Sequence, residues 1–288
     1  MRFKRPVSDL IRRRFSCRTY LEAPIDAGRR KALADLLAAA HRGPLGTPAR
    51  FVLVTATEQD RRALRGLGTY GFVQGATGFI IGAVKDAERN LEDYGCLMER
   101  IILFATDLDL GTCWLGGSFA KSSFGKRISP GQGETVPAVC AVGQAADRRR
   151  GMESSLREHL RADKRLPWTK LFFDRSFGQH LSREEAGPYA VPLEMVRLGP
   201  SASNRQPWRI VRDGATWHFY LQRTPGYRDA WISKLLRIAD LQRVDMGIAM
   251  CHFELAAAEL RLKGRWRRVE PKIETPDELT EYVVTWVD

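Results

Sequence analysis

Two short segments of this chain carry residue types suited to holding a flat, negatively charged molecule. In the second half, Gly199-Pro200-Ser201-Ala202-Ser203-Asn204-Arg205-Gln206-Pro207-Trp208 sets small polar residues between a helical run and a β-rich one. Small side chains let a planar ligand approach the backbone, Ser and Asn donate and accept hydrogen bonds, and Pro207 is expected to hold Gln206 extended as a strand begins. The same residue types are common in turns, so on its own the stretch reads equally well as a capped loop. Near the N-terminus, Arg14-Phe15-Ser16-Cys17-Arg18-Thr19-Tyr20 follows a helical run from Val7 to Arg13. Two guanidiniums around a hydroxyl make an anion cradle, because arginine keeps its charge and presents paired donors that match phosphate. Taken alone, a basic cluster of this kind is more often a solvated face.

The elements that must position these residues come in two similar sets. Asp93, Gly95, Met98, Leu103, Ala105, Leu108, Leu110 and Trp114 match Asp245, Gly247, Met250, Leu255, Ala257, Leu260, Leu262 and Trp266, each pair 152 positions apart (245 less 93). Similarity at a fixed offset signals a duplicated structural unit. Leu91, Tyr94, Met98, Ile101, Ile102, Ala105 and Leu108 recur at three- and four-residue spacing, which predicts a helix with one apolar face. Each repeated helix runs toward a glycine, Gly111 or Gly264, expected to serve as its C-terminal stop. Upstream, Leu36 to Ala40 leads into Gly43-Pro44 as Leu193 to Val196 leads into Gly199-Pro200, at an offset of 156 (199 less 43). Strands are expected at Phe51–Val54 and Trp208–Val211, and at Val136–Val142 and Tyr282–Val287 as the closing strands. The fold class is therefore α+β, with two similar halves packed as an intrachain pseudo-dimer. The halves span residues 1–150 and 193–288. Residues 151–192, charged and rich in Pro and Gly, are expected to be a connection draped over the surface.

Together, the motifs carry a family resemblance. PSASNRQPW resembles the P-S-x-x-N-x-Q-P-W motif of the FMN-dependent nitroreductases, RFSCRTY resembles their N-terminal R-x-S-x-R-x-[FY], and Leu110 to Gly117 resembles their G-L-G-x-x-W-x-G-G turn. In that family two identical subunits share each flavin; here each contribution occurs once, as in the single-chain tandem branch. The resemblance implies one competent FMN site per chain. Arg14, Ser16 and Arg18 would hold the flavin phosphate and pyrimidine edge, Leu115, Gly116 and Gly117 would lie by the ring, and Pro200, Ser201, Ser203 and Asn204 would close from the other half. Arg149 and Arg150 match only by region, as basic residues after the late strand. Phe15 stands where the family often has a second basic residue, and Gly143-Gln144-Ala145 replaces a commoner Gly-Tyr-Pro. The implied activity is passage of hydride from NADH or NADPH through flavin to a nitroaromatic, quinone or related small-molecule electron acceptor. The alternatives are a specialised flavin reaction on the same scaffold (dehalogenation, ring dehydrogenation or flavin breakdown) and a flavin-binding protein without turnover. No catalytic side chain is singled out, since flavin carries the chemistry in such enzymes.

Composition narrows the remaining classes. The chain has 288 residues, 44% of them hydrophobic and 28% charged, ordinary values for a globular protein. No run approaches the roughly 18 to 20 apolar residues of a membrane span, and the basic N-terminus lacks the apolar region of a secretory signal. The five cysteines are scattered and include no C-x-x-C pair, which favours reduced thiols in the cytoplasm over a disulfide framework or a zinc site. The net charge of +12 raises nucleic acid as a partner, but the arginine clusters are short and no DNA- or RNA-binding motif accompanies them. None of the five histidines has metal-ligand or nucleophile-base spacing, so no metal is expected and His252 reads as packed or surface. Trp114 and Trp266 read as core residues. The expected partners are small molecules; the expected state is a monomer built as a pseudo-dimer, with further dimerisation left open.

Overall fold

The computed structural model describes residues 2–39, 41–60, 62–146, 164–227 and 238–288. Arg149 and Arg150 lie outside them. The first half runs through α1 (Val7–Arg13), α2 (Ala27–Ala38), β1 (His41–Arg42), β2 (Pro48–Thr55), β3 (Gly78–Lys85), α3 (Asn90–Asp107), β4 (Gly111–Leu115), α4 (Lys121–Ile128), β5 (Glu134–Thr135) and β6 (Val139–Gly143). The second contains β7 (Phe172–Asp174), α5 (Arg183–Ala186), α6 (Ala190–Arg197), β8 (Trp208–Asp213), β9 (Thr216–Gln222), α7 (Leu241–Glu259), β10 (Arg265–Arg267) and β11 (Thr280–Val287).

The duplication read from the sequence is a duplication of topology. One sheet has the order β1-β2-β3-β6-β4, with β5 also on β3, and the other has the order β10-β11-β9-β8-β7. The series β2-β3-β6-β4 and β8-β9-β11-β10 are the same walk through equivalent strands. All of their pairings are antiparallel. The short apolar run around Phe79 to Val84 forms β3, the centre of the first sheet. Its residues from Gly78 to Val84 are all buried, so it shows no alternation of polar and apolar positions.

The repeated helices α3 and α7 pack against each other and join the halves. Gly95 and Gly247, equivalent in the repeat, meet at their crossing. A Cβ on Gly95 would overlap the carbonyl oxygen of Val244, and one on Gly247 would overlap the carbonyl oxygen of Glu92. Only glycine lets the backbones come this close. Around the crossing, the Arg243 guanidinium donates to both Glu92 carboxylate oxygens at 2.9 and 2.6 Å, and Arg100 pairs with Glu254 at 2.6 Å.

Two expectations are corrected. The helices do not stop at Gly111 and Gly264. They stop at Asp109 (φ 57°) and Arg261 (φ 58°), equivalent non-glycine residues in the left-handed region. Leu110 N–H then donates to Ala105 O at 3.0 Å and Leu262 N–H to Ala257 O at 2.9 Å, which satisfies the last carbonyls of each helix. Gly111 instead opens β4, where a Cβ would strike Cys17. Nor are residues 164–192 merely a surface connection. Phe172–Asp174 pairs in parallel with β8, and Leu171, Phe172, Leu181 and Ala186 are buried in the second half's core with Trp208, Phe219 and Phe253. Their apolar side chains sit among charged and Pro/Gly residues, which hid the strand from a composition argument.

The tightness of the crossing is testable. Gly247→Ala should lower unfolding free energy by about 1–3 kcal/mol through overpacking against backbone. Gly125→Ala, inside α4 where a Cβ meets nothing within 4 Å, should raise it by about 0.4–1 kcal/mol. Denaturant titration of the two variants checks this, and equal small effects would show that the helices do not need the glycine.

Candidate functional site

One cavity of about 400 Å³ lies between the halves and gathers most of the residues singled out from the sequence. Arg14, Ser16, Arg18, Gly116 and Gly117 line it from the first half, and Pro200, Ser201, Ser203 and Asn204 from the second. Leu115 does not: it is fully buried in β4, within the first half's core.

The first-half wall is built by clamping an extended segment between β4 and the loop at Gln74. Cys17 N–H donates to Thr112 O at 2.9 Å, Tyr20 N–H to Gln74 O at 3.0 Å, and Gln74 N–H to Arg18 O at 2.8 Å. This fixes Arg18 with its side chain in the cavity wall, 8% exposed. Among the described residues no carboxylate pairs with it, and its buried Nε and Nη1 have no protein acceptor. Its guanidinium carbon lies 5.0 Å from the centre of the Phe72 ring, a cation–π contact. Arg14 Nε lies 3.7 Å from Glu99 Oε1, too far for a hydrogen bond. The glycine turn has a structural cause. A Cβ on Gly116 would overlap the Leu241 side chain, and one on Gly117 would come within 3.2 Å of Ile238, so glycine admits the start of α7 to the cleft.

The second-half wall is a strained loop. Ser203, Asn204 and Gln206 all have left-handed backbones, with φ of 49°, 54° and 51°. Gln206 is thus not extended as expected before Pro207. Three contacts outweigh the preference that proline imposes: Ser201 Oγ accepts Gln206 N–H at 2.8 Å, Gln206 Oε1 accepts Leu166 N–H at 2.8 Å, and Asn204 Nδ2 donates to Lys164 O at 2.9 Å. The Ser201 and Asn204 side chains therefore shape the loop as well as lining the cleft. Asp245, on α7, ties the loop to the helix by accepting Ala202 N–H at 3.0 Å. Burial holds the Asp245 carboxyl well above the usual carboxylate range, against the opposing effect of that hydrogen bond.

Several lining residues were not foreseen. Leu241, Val244 and Ile248 give an apolar wall at helical spacing, a signal present in the sequence, whereas Phe72 and Arg165 carried none. Arg165 reaches across the loop to Asn204 Oδ1 at 3.3 Å. Trp266 is a core residue, packed on Phe219 and Trp286, but Trp114 is not purely so. It lines the cavity and donates from Nε1 to Glu99 Oε2 at 2.7 Å. Trp114 differs from its repeat partner because the cleft opens beside it. His252 is fully buried, with its Nδ1 2.9 Å from Met195 O and its Nε2 3.0 Å from Glu99 Oε1.

Fold and site together define a protein of two α+β halves in one chain, with a cleft between an arginine-bearing arm and a serine–asparagine loop. The family model described as "Putative TM nitroreductase" matches residues 7–257, and the chain belongs to that family of oxidoreductases. Among solved structures, a putative nitroreductase from Thermotoga maritima MSB8 is similar over 100% of this chain and 95% of that one, at 20% identity and a TM-score of 0.60, which establishes a shared fold. A putative nitroreductase in complex with FMN from Desulfovibrio desulfuricans aligns over 52% of this chain and 95% of its own, at 23% identity and a TM-score of 0.37. A nitroreductase with bound FMN from Bacteroides fragilis NCTC 9343 aligns over 51% and 92%, at 20% identity and 0.38. No curated protein matches the chain. Among the described residues, no helix is long and apolar enough to cross a membrane.

The role of Asp245 as the loop's anchor predicts a contrast. Asp245→Ala should cost about 1 kcal/mol by orphaning Ala202 N–H and loosen residues 201–206. Asp245→Asn keeps an acceptor there and removes a titrating group. Because folding raises the aspartate's pKa, the native state binds its proton more tightly. Wild-type stability should therefore fall as pH rises from about 4 through the native value, and the Asn variant should lose that slope. Denaturant midpoints across pH for the three proteins check both statements; parallel pH profiles would remove Asp245 from this role.

Proposed function

We propose that the protein is an FMN-dependent oxidoreductase that binds one flavin in the cleft between its halves, uses NAD(P)H as reductant and acts on a small acceptor such as a nitroaromatic or quinone. The observation that carries the reading is Arg18, a buried guanidinium with no carboxylate partner among the described residues, in the wall of the cavity that also holds the Pro200–Asn204 loop. A buried cation is costly unless something anionic pairs with it, so its placement calls for an anionic ligand.

The residues fit such a group. The cavity is large enough for a planar ring system, and Leu241, Val244 and Ile248 provide an apolar surface that excludes water from it. Arg14, Ser16 and Arg18 would take the phosphate and the pyrimidine edge, and the Ser201–Asn204 loop would close from the opposite half. FMN, when bound, supplies two-electron transfer between a nicotinamide and the acceptor. Arg18 would place positive charge where a reduced ring system carries negative charge.

The stoichiometry of one per chain rests on the loss of the pseudo-symmetric cleft. Leu45, the counterpart of Ser201, packs against the second half's core. Asp93, the counterpart of Asp245, accepts both Leu45 N–H and Thr47 N–H at 2.7 Å and locks this loop shut.

The visible spectrum of purified protein, the mass of the released cofactor and an FMN titration test the proposal, with saturation expected at one flavin per chain. Arg18→Ala should weaken FMN binding about ten- to hundredfold, the range for a hydrogen bond to a charged group. Arg18→Lys should keep part of the affinity through its point charge, and Arg62→Ala, on an exposed stretch, should change nothing. No flavin at saturating FMN, or an Arg18→Ala variant indistinguishable from Arg62→Ala, would overturn the reading.

A further inference from the structure

Beneath the cleft lies a fully buried carboxylate and imidazole that the proposed chemistry does not use. Glu99 comes from α3 and His252 from α7, so the pair spans the two halves. Met195 O, from α6, can only accept, so His252 Nδ1 must carry a hydrogen. If the ring were neutral, Nε2 would then be a bare lone pair facing Glu99 Oε1 at 3.0 Å. One proton must therefore sit between Nε2 and Oε1. The other carboxylate oxygen, Oε2, is taken by the Trp114 indole N–H. Whichever atom the shared proton sits on, the pair is neutral as a unit.

That neutrality matters for Arg14, which lines the cleft with its Nε 3.7 Å from Glu99 Oε1. A lone carboxylate at that distance would cancel the arginine's charge. Beside a neutral Glu99–His252 pair, the charge of Arg14 stays uncancelled and is directed to the cleft. The other charged groups around the histidine leave this accounting unchanged. Arg100 and Glu254 neutralise each other at 2.6 Å, and burial pushes the neighbouring Cys251 thiol well up, keeping it protonated. Cys96 on α3 is also buried, and α6 presents the backbone carbonyl of Met195 to the imidazole while its Glu194 and Arg197 pair with each other at 2.6 Å.

We infer that His252 and Glu99 are positioning residues that set the charge of the anion site, His252 acting from the second half to keep Arg14 available for an anionic ligand bound mainly by the first. The inference rests on the flavin reading for the identity of that ligand. In His252→Gln the shared proton is lost, Glu99 becomes a full countercharge to Arg14, and FMN affinity should fall about tenfold, since one unit of charge a few ångströms away in a partly buried site is an effect of that order. Removing the countercharge as well, in Glu99→Gln/His252→Gln, leaves a neutral amide whose oxygen still accepts from Trp114 while Arg14 is again uncancelled, and affinity should return to within about threefold of wild type.

The experiment is an FMN titration, followed by flavin fluorescence, of wild type and both variants, with thermal denaturation confirming the fold. Rescue in the double variant supports the inference, because a purely structural role predicts that the second substitution adds to the damage. Wild-type affinity in folded His252→Gln overturns it, as does a folded double variant that binds more than tenfold more weakly than wild type. The double variant alone decides if the single one does not fold. Absence of FMN binding by the wild-type protein would instead sink the flavin reading, so the two failures are distinguishable.

Discussion

The crossing of α3 and α7 at Gly95 and Gly247 is the constraint on which the rest of the architecture depends. Backbone meets backbone there, with no side chain between, and the two glycines are equivalent in the repeat. The separation of the halves is therefore set by covalent geometry more than by side chains that could repack. Everything at the cleft inherits that separation. Leu241 can reach Gly116, Asp245 can reach Ala202 while its helix rests on α3, and His252 can reach Glu99 across the interface. A cleft assembled from two halves needs its walls held to a fraction of an ångström, and a glycine contact supplies that rigidity.

The same crossing would generate two equivalent clefts if the halves were identical. The sequence breaks the symmetry at the loops that follow the two Gly-Pro pairs. In the first half, Leu45 buries an apolar side chain against the opposite core, Gly46 supplies a left-handed turn (φ 104°) without strain, and Asp93 secures two N–H groups. In the second half, the left-handed positions fall on Ser203, Asn204 and Gln206, and Asp245 secures one N–H. One loop is built for stability and the other for an opening.

This division explains what could be read from the sequence and what could not. Glycine and aspartate at constant offset are visible because backbone contact and loop anchoring tolerate no substitute; the halves, the paired helices and the strands after each Gly-Pro follow from them. The motif residues converge for the same reason, nine of them lining one cavity. What stayed hidden depends on long-range context. Asp109 and Arg261 terminate helices where a glycine nearby in sequence was the simpler choice, and Gln206 turns left-handed because Leu166, forty residues earlier, offers its N–H to the glutamine side chain. Phe172 becomes core only because β8 is there to pair with it. Arg165 and Phe72 have no local pattern; their place in the cleft is a property of the assembled halves.

The cost of the site is concentrated where the symmetry breaks. Residues in left-handed backbone other than glycine cost on the order of 1 kcal/mol or more each, and a buried donor without an acceptor costs about 1–3 kcal/mol. The open cleft carries three such residues in one loop and, in Arg18, two buried N–H groups without an acceptor among the described residues, whereas the closed loop uses glycine and an apolar plug. Two copies of one fold therefore differ in the sense expected if selection acted on binding on one side and on stability on the other. Among the described residues, three left-handed non-glycine residues fall in the loop after Gly199-Pro200 and none in the loop after Gly43-Pro44, a difference that the fold itself does not impose, because the fold is present twice.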